Sequence, residues 1–427
     1  MKTLIAGGRV VDPANGIDRV MDLLIEDDRI AALAEKIECS GIDRTIDARK
    51  MLVCPGFVDM HVHLRDPGFE YKEDIASGTA AAVAGGFTTV ACMPNTKPVA
   101  DNATVVEYII AKSRREGKAN VLPVGAITKG LKGEEISEMG DMKSAGAVAF
   151  SDDGRPVMNA EVMRLAMQYA SMLGLPILDH CEDLNLSQEG AMNLGATSTV
   201  LGLKGIPGAA EEVQVARDVL LAKLTGARVH ICHASTRGSV DIIRWAKSLG
   251  VRVTAEACPH HFSVTDELVR ELQYDTSTKV SPPLRSADDV KAVKAGLKDG
   301  TLDTIATDHA PHHKDDKDVE YTYAANGISG IETAVSLVWT KLVSDGTLSV
   351  SEAVRKLTSA PAGILGIDRG TLSPGKVADI TIVDPEADII VKPESFVSKG
   401  KNSPFGGFAL RARPFVTIVS GKIQYEA

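Results

Sequence analysis

Eight short apolar runs recur through the middle of this 427-residue chain, many of them separated by segments of helical periodicity. The runs close at about Met60–His63, Val90–Met93, Val121–Ala126, Val148–Ser151, Ile177–His180, Val229–His233, Val253–Cys258 and Ile305–Asp308. Helical segments between them include Ser77–Ala84, Ala160–Leu173, Ala209–Leu224 and Val240–Leu249. Parallel strands need crossover connections, usually helices, so eight repeats of this unit predict an α/β fold, a (β/α)8 TIM-like barrel. A doubly wound open sheet is the competing architecture, but no Gly-x-Gly-x-x-Gly turn opens a helix after the first run.

The two ends of the chain read differently. Thr3-Leu4-Ile5, Asp22 to Ile30 and Arg44 to Asp47 alternate apolar and polar residues, and so do Ala378 to Val383, Asp388 to Val391 and Val416 to Gly421. Period-2 runs punctuated by Gly, Pro and Asp predict antiparallel sheet. The expectation is a small β-sandwich domain built from both termini: residues 1–54 and 366–427 flank a barrel of residues 55–365.

Composition removes several functions. The formal charge is −10, so no chain-wide basic field exists to hold nucleic acid or an anionic membrane. No run of about 18 apolar residues is present to form a spanning helix. The glycine pair Gly7-Gly8 interrupts the N-terminus before a signal-peptide apolar stretch can form. The six cysteines are scattered, and Cys92, Cys181, Cys232 and Cys258 sit in or beside strand-like runs. They read as buried reduced thiols of a cytoplasmic protein.

All ten histidines fall in five places, each at or just after the end of a predicted strand, where a barrel keeps its active site. His61 and His63 are two apart on a strand, so both imidazoles can face one ion. His180 and His233 each bring one imidazole to the barrel mouth, whereas His230 reads as a structural residue on the opposite face. Asp308 ends the last run with a carboxylate that, beside a metal, can both ligate and shuttle a proton. Alternation lets only one of Asp152 and Asp153 face inward as a ligand. By the same parity His260-His261 reads as structural or supporting, and one of His312 and His313 is a candidate substrate contact. Asp315-Asp316-Lys317-Asp318 reads as a solvated loop. Four imidazoles and two carboxylates exceed what one tetrahedral zinc needs and match a two-metal hydrolytic site with ions about 3.5–4 Å apart. Such a pair holds a bridging hydroxide at neutral pH, which points to metal-assisted amide hydrolysis.

The motifs carry a resemblance. Asp59-Met60-His61-Val62-His63-Leu64-Arg65-Asp66-Pro67-Gly68, Ala84-Gly85-Gly86-Phe87-Thr88-Thr89 and Met93-Pro94-Asn95-Thr96 resemble segments of the type I dihydroorotases of the amidohydrolase superfamily. So do Asp179-His180-Cys181-Glu182, His230-Ile231-Cys232-His233-Ala234-Ser235-Thr236 and Ala306-Thr307-Asp308-His309-Ala310-Pro311-His312. The likeness runs over nearly the whole chain. It implies a cyclic amidohydrolase that interconverts N-carbamoyl-L-aspartate and L-dihydroorotate in pyrimidine synthesis, using a zinc-bound hydroxide and an Asp general acid/base. It implies two zinc ions per subunit, or one. His61 and His63 would hold one zinc, His180 and His233 the other, with Asp153 bridging and Asp308 both ligand and general acid/base. Arg65, Asn95 and His312 would hold the substrate carboxylate, a role that suits a planar guanidinium.

The family's Asn-Pro-Pro-Leu-Arg reads Ser281-Pro282-Pro283-Leu284-Arg285 here, and its Pro-Phe-Gly reads Ala325-Asn326-Gly327. Ser281, Asn326 and Gly327 are therefore the candidates for ring contacts. The resemblance further implies a homodimer and a complex with aspartate transcarbamoylase. One rival is a related allantoinase or hydantoinase, which commonly bridges its metals with a carboxylated lysine on the fourth strand. Here that run lacks lysine, and Lys143 lies just before it. The other rival, a non-catalytic partner of aspartate transcarbamoylase, would typically lose the ligand set that this chain keeps.

Overall fold

In the computed structural model, which describes residues 1–427, each of the eight runs is a strand. They are β1 (Phe57–Val62), β2 (Phe87–Cys92), β3 (Asn120–Gly125), β4 (Ala149–Phe150), β5 (Ile177–Asp179), β6 (Val229–Ile231), β7 (Val253–Ala257) and β8 (Thr304–Ile305). They pair in chain order, all parallel. Just past β8 a parallel bridge between His309 and Val62 joins the last strand to the first and closes the ring.

The helices start and stop where local chemistry says they should. Asp74 caps Ile75–Ala84 by accepting from the Ser77 N–H, and Asn159 caps Ala160–Leu173 by accepting from those of Glu161 and Val162. Gly174 ends the second helix in the left-handed region at φ +72°, a conformation that glycine adopts without strain. On Arg237–Ser248, Val240, Ile243 and Ala246 turn inward at helical spacing while Trp245 faces solvent. Inside the ring, Val58, Met60, Ala91, Met93, Val124, Ala149, Leu178 and Cys232 pack on Leu365, so the barrel is a filled core and not a pore.

A second sheet is assembled from both termini. Lys2–Asp12, Ile17–Glu26, Arg29–Ala34, Arg44–Asp47 and Leu52–Pro55 join Ile380–Ile390, Ala409–Val419 and Lys422–Glu426. The two ends meet where Val53 pairs antiparallel with Ile382. This sheet is mixed, which corrects the purely antiparallel expectation. The register of the first strand slips between Ile5 and Gly8, dividing it into halves with different parallel neighbours. Thr3 to Ala6 pairs with Arg44–Asp47, and Arg9-Val10 pairs with Leu52-Val53. Glycine is required at the slip, because a Cβ on Gly8 would lie 2.4 Å from the Val53 Cγ2. No helix is long and apolar enough to cross a membrane.

Candidate metal centre

The C-terminal ends of the barrel strands open onto a cavity of about 380 Å³. His63, Arg65, Asn95, Asp153, His180, His233, Ser281, Asp308, Asn326 and Gly327 line it, with His61 buried beneath and His312 behind Arg65. Asp153 is the hub. Its Oδ1 lies 3.2 Å from His61 Nε2, 3.5 Å from His180 Nδ1 and 3.6 Å from His233 Nε2, and its Oδ2 lies 3.4 Å from His63 Nε2. Asp308 Oδ1 approaches the same group, 3.1 Å from His63 Nε2 and 3.5 Å from His61 Nε2. His180 Nδ1 and His233 Nε2 stand 2.9 Å apart. Asp152, next to the hub, is turned away and accepts from the backbone N–H groups of Ile127 and Thr128.

Backbone strain collects here. Arg65, His233 and Asp308 have φ of +60°, +34° and +47°, a region non-glycine residues rarely occupy.

Three of the four imidazoles are held from behind. His61 Nδ1 donates to Glu256 Oε1 at 2.8 Å, which leaves Nε2 facing the two aspartates. Glu256 Oε2 is 3.0 Å from His230 Nε2, and His230 Nδ1 is 2.9 Å from Thr254 Oγ1. His63 Nδ1 lies 3.0 Å from Asn95 Oδ1, and His180 Nε2 lies 3.1 Å from Glu182 Oε2. Partners of this kind fix the tautomer and ring orientation of metal-binding histidines.

The donor set fits a cation. His61 Nε2 and Asp153 Oδ1 are buried and make no hydrogen bond, an arrangement that costs about 1–3 kcal/mol per group unless something else satisfies them. Burial opposes charge on Asp153, yet the charge of His61 and the close approach of the His180, His233 and His61 rings hold its carboxyl well below the usual range. Burial likewise opposes charge on His180, but Asp153 and Glu182 raise it to about 10. The carboxylates therefore create a field that favours positive charge among the ring nitrogens. Imidazole and carboxylate donors suit zinc and its first-row neighbours.

One cation, Arg65, lines the cavity near the cluster. Arg65 Nε donates to the Pro311 carbonyl at 3.2 Å, its Nη2 is 3.2 Å from His312 Nε2, and no carboxylate pairs with it. Burial and the charges of Arg65 and Lys72 push His312 down to about 2, so the ring is neutral and Nε2–H donates to the Asn326 carbonyl at 2.8 Å. Asn95 Nδ2 donates to the Asp153 carbonyl at 3.4 Å, and Ser281 Oγ to Glu182 Oε2 at 3.5 Å. At Gly327 (φ +147°) a Cβ would meet the Ala310 carbonyl oxygen at 2.6 Å, so only glycine allows this wall to close.

His230 stays outside the cavity and bonds to the carboxylate that orients His61. Several sequence expectations need correction. Strand alternation does not set the direction of His233, because β6 ends at Ile231 and His233 lies beyond it, in a left-handed turn. His260 and His261 lie on the short helix Pro259–Ser263 and not on a strand, both buried and neither lining the cavity. Lys317, expected in a solvated loop, is buried, its Nζ donating to the carbonyls of Thr276, Lys279 and Ala325. Glu182 and Glu256 were missed. An acid in the middle of the apolar run Val253–Cys258 was the available signal for Glu256.

Known proteins resemble this chain over its full length. The dihydroorotase of Pelotomaculum thermopropionicum is 60% identical over 426 residues, covering 100% of this chain and 99% of that protein. The chain belongs to the dihydroorotase family. The dihydroorotase of Geobacter metallireducens is 56% identical, with 100% of both chains covered. A dihydro-orotase-like family model matches residues 50–239, and an amidohydrolase family model matches residues 225–425. Among solved structures, the L-hydantoinase (dihydropyrimidinase) of Arthrobacter aurescens superposes with a TM-score of 0.89 at 27% identity, covering 99% of this chain and 96% of that one. The fold of this chain is thus shared with that hydantoinase over nearly the whole length of both.

Proposed function

We propose that this cavity catalyses the reversible cyclisation of N-carbamoyl-L-aspartate to L-dihydroorotate in the de novo synthesis of pyrimidines. The enzyme is a cyclic amidohydrolase. The observation that carries the assignment is Arg65, a buried-edge guanidinium with no carboxylate partner, facing the same cavity as the histidine–aspartate cluster. Both the ring and its opened form bear a carboxylate that such a fork can bind.

The proposed cofactor is zinc, two ions per subunit: His61 and His63 would hold one, His180 and His233 the other, and Asp153 and Asp308 would complete the donor set. Bound there, zinc supplies Lewis acidity at the amide carbonyl and lowers the pKa of water toward neutrality. Asp308 takes the proton from the attacking water and delivers it to the ring nitrogen as the C–N bond breaks; cyclisation runs the same transfers in reverse. Arg65 binds the α-carboxylate and neutral His312 steadies it, while Asn95, Ser281, Asn326 and Gly327 border the ring.

The hydantoinase alternative is disfavoured by the fourth strand. Lys143 is exposed on the helix Met139–Ala145, and the inward position after β4 is Asp153. A non-catalytic role is disfavoured by the intact donor set. We place the enzyme in the cytoplasm, a reading supported by six unpaired cysteines. We also infer a homodimer, with aspartate transcarbamoylase as a further partner implied by the resemblance alone. Leu165 and Met172 on Ala160–Leu173, with Val213, Leu220 and Leu224 on the adjacent Ala209–Thr225, expose apolar stripes at seven- and four-residue spacing that suit a second copy.

The deciding experiment pairs metal analysis with an ultraviolet assay of dihydroorotate ring opening. Activity should vanish on chelation and return with zinc. Full turnover by metal-free protein, or faster hydrolysis of a neutral hydantoin than of dihydroorotate, would overturn the proposal.

A further inference from the structure

At the opposite end of the barrel, the N-terminal ends of the strands hold a second concave surface. Arg228 immediately precedes β6 and Arg252 immediately precedes β7, and pairing of Val229 with Val253 sets the two arginines side by side in register. With Arg355 from the helix Val350–Leu357 they line a cavity of about 440 Å³, which Thr254 and Asp303 also border. That is room for a small metabolite.

No carboxylate forms an ion pair with any of these three cations: Glu352, which feels the charge of Arg355, bonds instead to the Ser349 N–H and hydroxyl. Asp303, the one acid in the lining, is taken by Lys247 Nζ at 2.7 Å and by the Ala255 N–H at 2.9 Å. Arg228 instead donates to the backbone carbonyls of Ile364 at 3.1 Å and Gly174 at 2.6 Å, and Arg252 donates to that of Gly226 at 3.2 Å. These bonds hold the guanidinium heads in place without cancelling their charge, and each guanidinium has five N–H donors, so most remain free. Burial and the neighbouring Arg252 both work against the charge on Arg228. Like charges opposite one another on adjacent strands are destabilising, and a chain of net charge −10 has acids to spare for such a place. The arrangement is costly as it stands and favourable with a bound anion.

We propose that this floor pocket binds a compact multivalent oxyanion, namely a phosphate group, either free or carried by a phosphorylated metabolite. The pocket is separate from the substrate cavity, whose carboxylate-binding arginine is Arg65. Guanidinium groups match tetrahedral oxyanions through paired N–H···O bonds.

The test is calorimetric titration of the zinc-loaded full chain with inorganic phosphate and, separately, ribose 5-phosphate, at fixed ionic strength. One site per chain is expected, and Arg355→Ala and Arg252→Ala should each weaken it at least about tenfold. Arg65→Met should leave the titration unchanged, which separates this pocket from the substrate site whether or not the proposed activity is correct. Tighter binding of ribose 5-phosphate would identify a phosphorylated metabolite as the ligand, and equal binding would identify free phosphate. Absence of binding by the unaltered protein at millimolar ligand overturns the proposal, as does loss in Arg65→Met with retention in both floor variants. Arg355 is exposed, so its variant keeps the test decisive if Arg252→Ala fails to fold.

Discussion

Glu256 Oε1 lies 2.8 Å from His61 Nδ1, so one carboxylate buried in the seventh strand aims an imidazole of the first. Burial opposes its ionisation, but hydrogen bonds from His230 and His61 hold it down to about 2. The pair explains why an acid is tolerated inside the barrel: its second oxygen is satisfied by His230, and neither oxygen is left orphaned.

Glu256→Gln should therefore weaken metal binding without unfolding the barrel. The amide keeps one acceptor oxygen but turns an NH2 toward a ring that needs an acceptor. Loss of such an outer partner typically costs 10–100-fold in metal affinity. Titration against a competing chelator measures it, and an unchanged affinity would show that His61 is aimed by something else.

For Asp308 the expectation is a separation of metal binding from turnover. Asp308→Asn retains an oxygen beside His63 but cannot accept the proton. Bound metal should stay within about threefold while kcat falls by 10²–10⁴-fold, the usual contribution of acid/base catalysis. A kcat within about tenfold of the unaltered enzyme would assign the proton transfer to another group.

Arg65→Met tests the carboxylate-binding role. KM for dihydroorotate should rise by about 10–100-fold, with a smaller fall in kcat as the ring loses its alignment. A neutral cyclic imide, having no carboxylate, should react equally with both proteins. Equal losses on charged and neutral rings would mean that Arg65 supports the metal cluster and not the substrate.

How much of this was legible in the sequence depends on the range of each interaction. The eight strands were readable because a buried parallel strand is a short unbroken apolar run. Ala160–Leu173 was readable to the residue because Asn159 and Gly174 punctuate it locally. The approach of His61, His63, Asp153, His180, His233 and Asp308 followed from their strand ends, since a barrel brings all such ends to one mouth. The line from Thr254 through His230 and Glu256 to His61 was hidden, because it joins three strands by side-chain bonds. Burial of Lys317 was hidden for a related reason: its partners are backbone carbonyls of residues 276, 279 and 325, invisible to any pattern of side-chain types. The slip at Gly7-Gly8 was visible as a glycine pair, but not its consequence, which depends on where residues 44–55 return.

Lys356 gives a stability test independent of the cavity. Its side chain is buried, with Nζ donating to the Leu302 carbonyl at 2.6 Å. Burial, and then the charge of Arg355, pushes it down to about 8, whereas an unfolded chain would hold it near the ordinary value of about 10.4. Below pH 8 both states are protonated and the full cost of burying the charge is present. Between pH 8 and about 10.4 the unfolded state binds more protons, so this group makes stability rise with pH. Above that range the cost is gone. Lys356→Met removes the charge and keeps most of the volume, so at pH 7 it should stabilise the fold by up to about 3 kcal/mol, less the lost hydrogen bond. The gap between the two proteins should close as pH approaches 10. Denaturant unfolding of both at pH 7, 8, 9 and 10 measures this directly. A gap that stays constant across that range would mean that folding does not change the proton affinity of Lys356, as for a fully solvated amine.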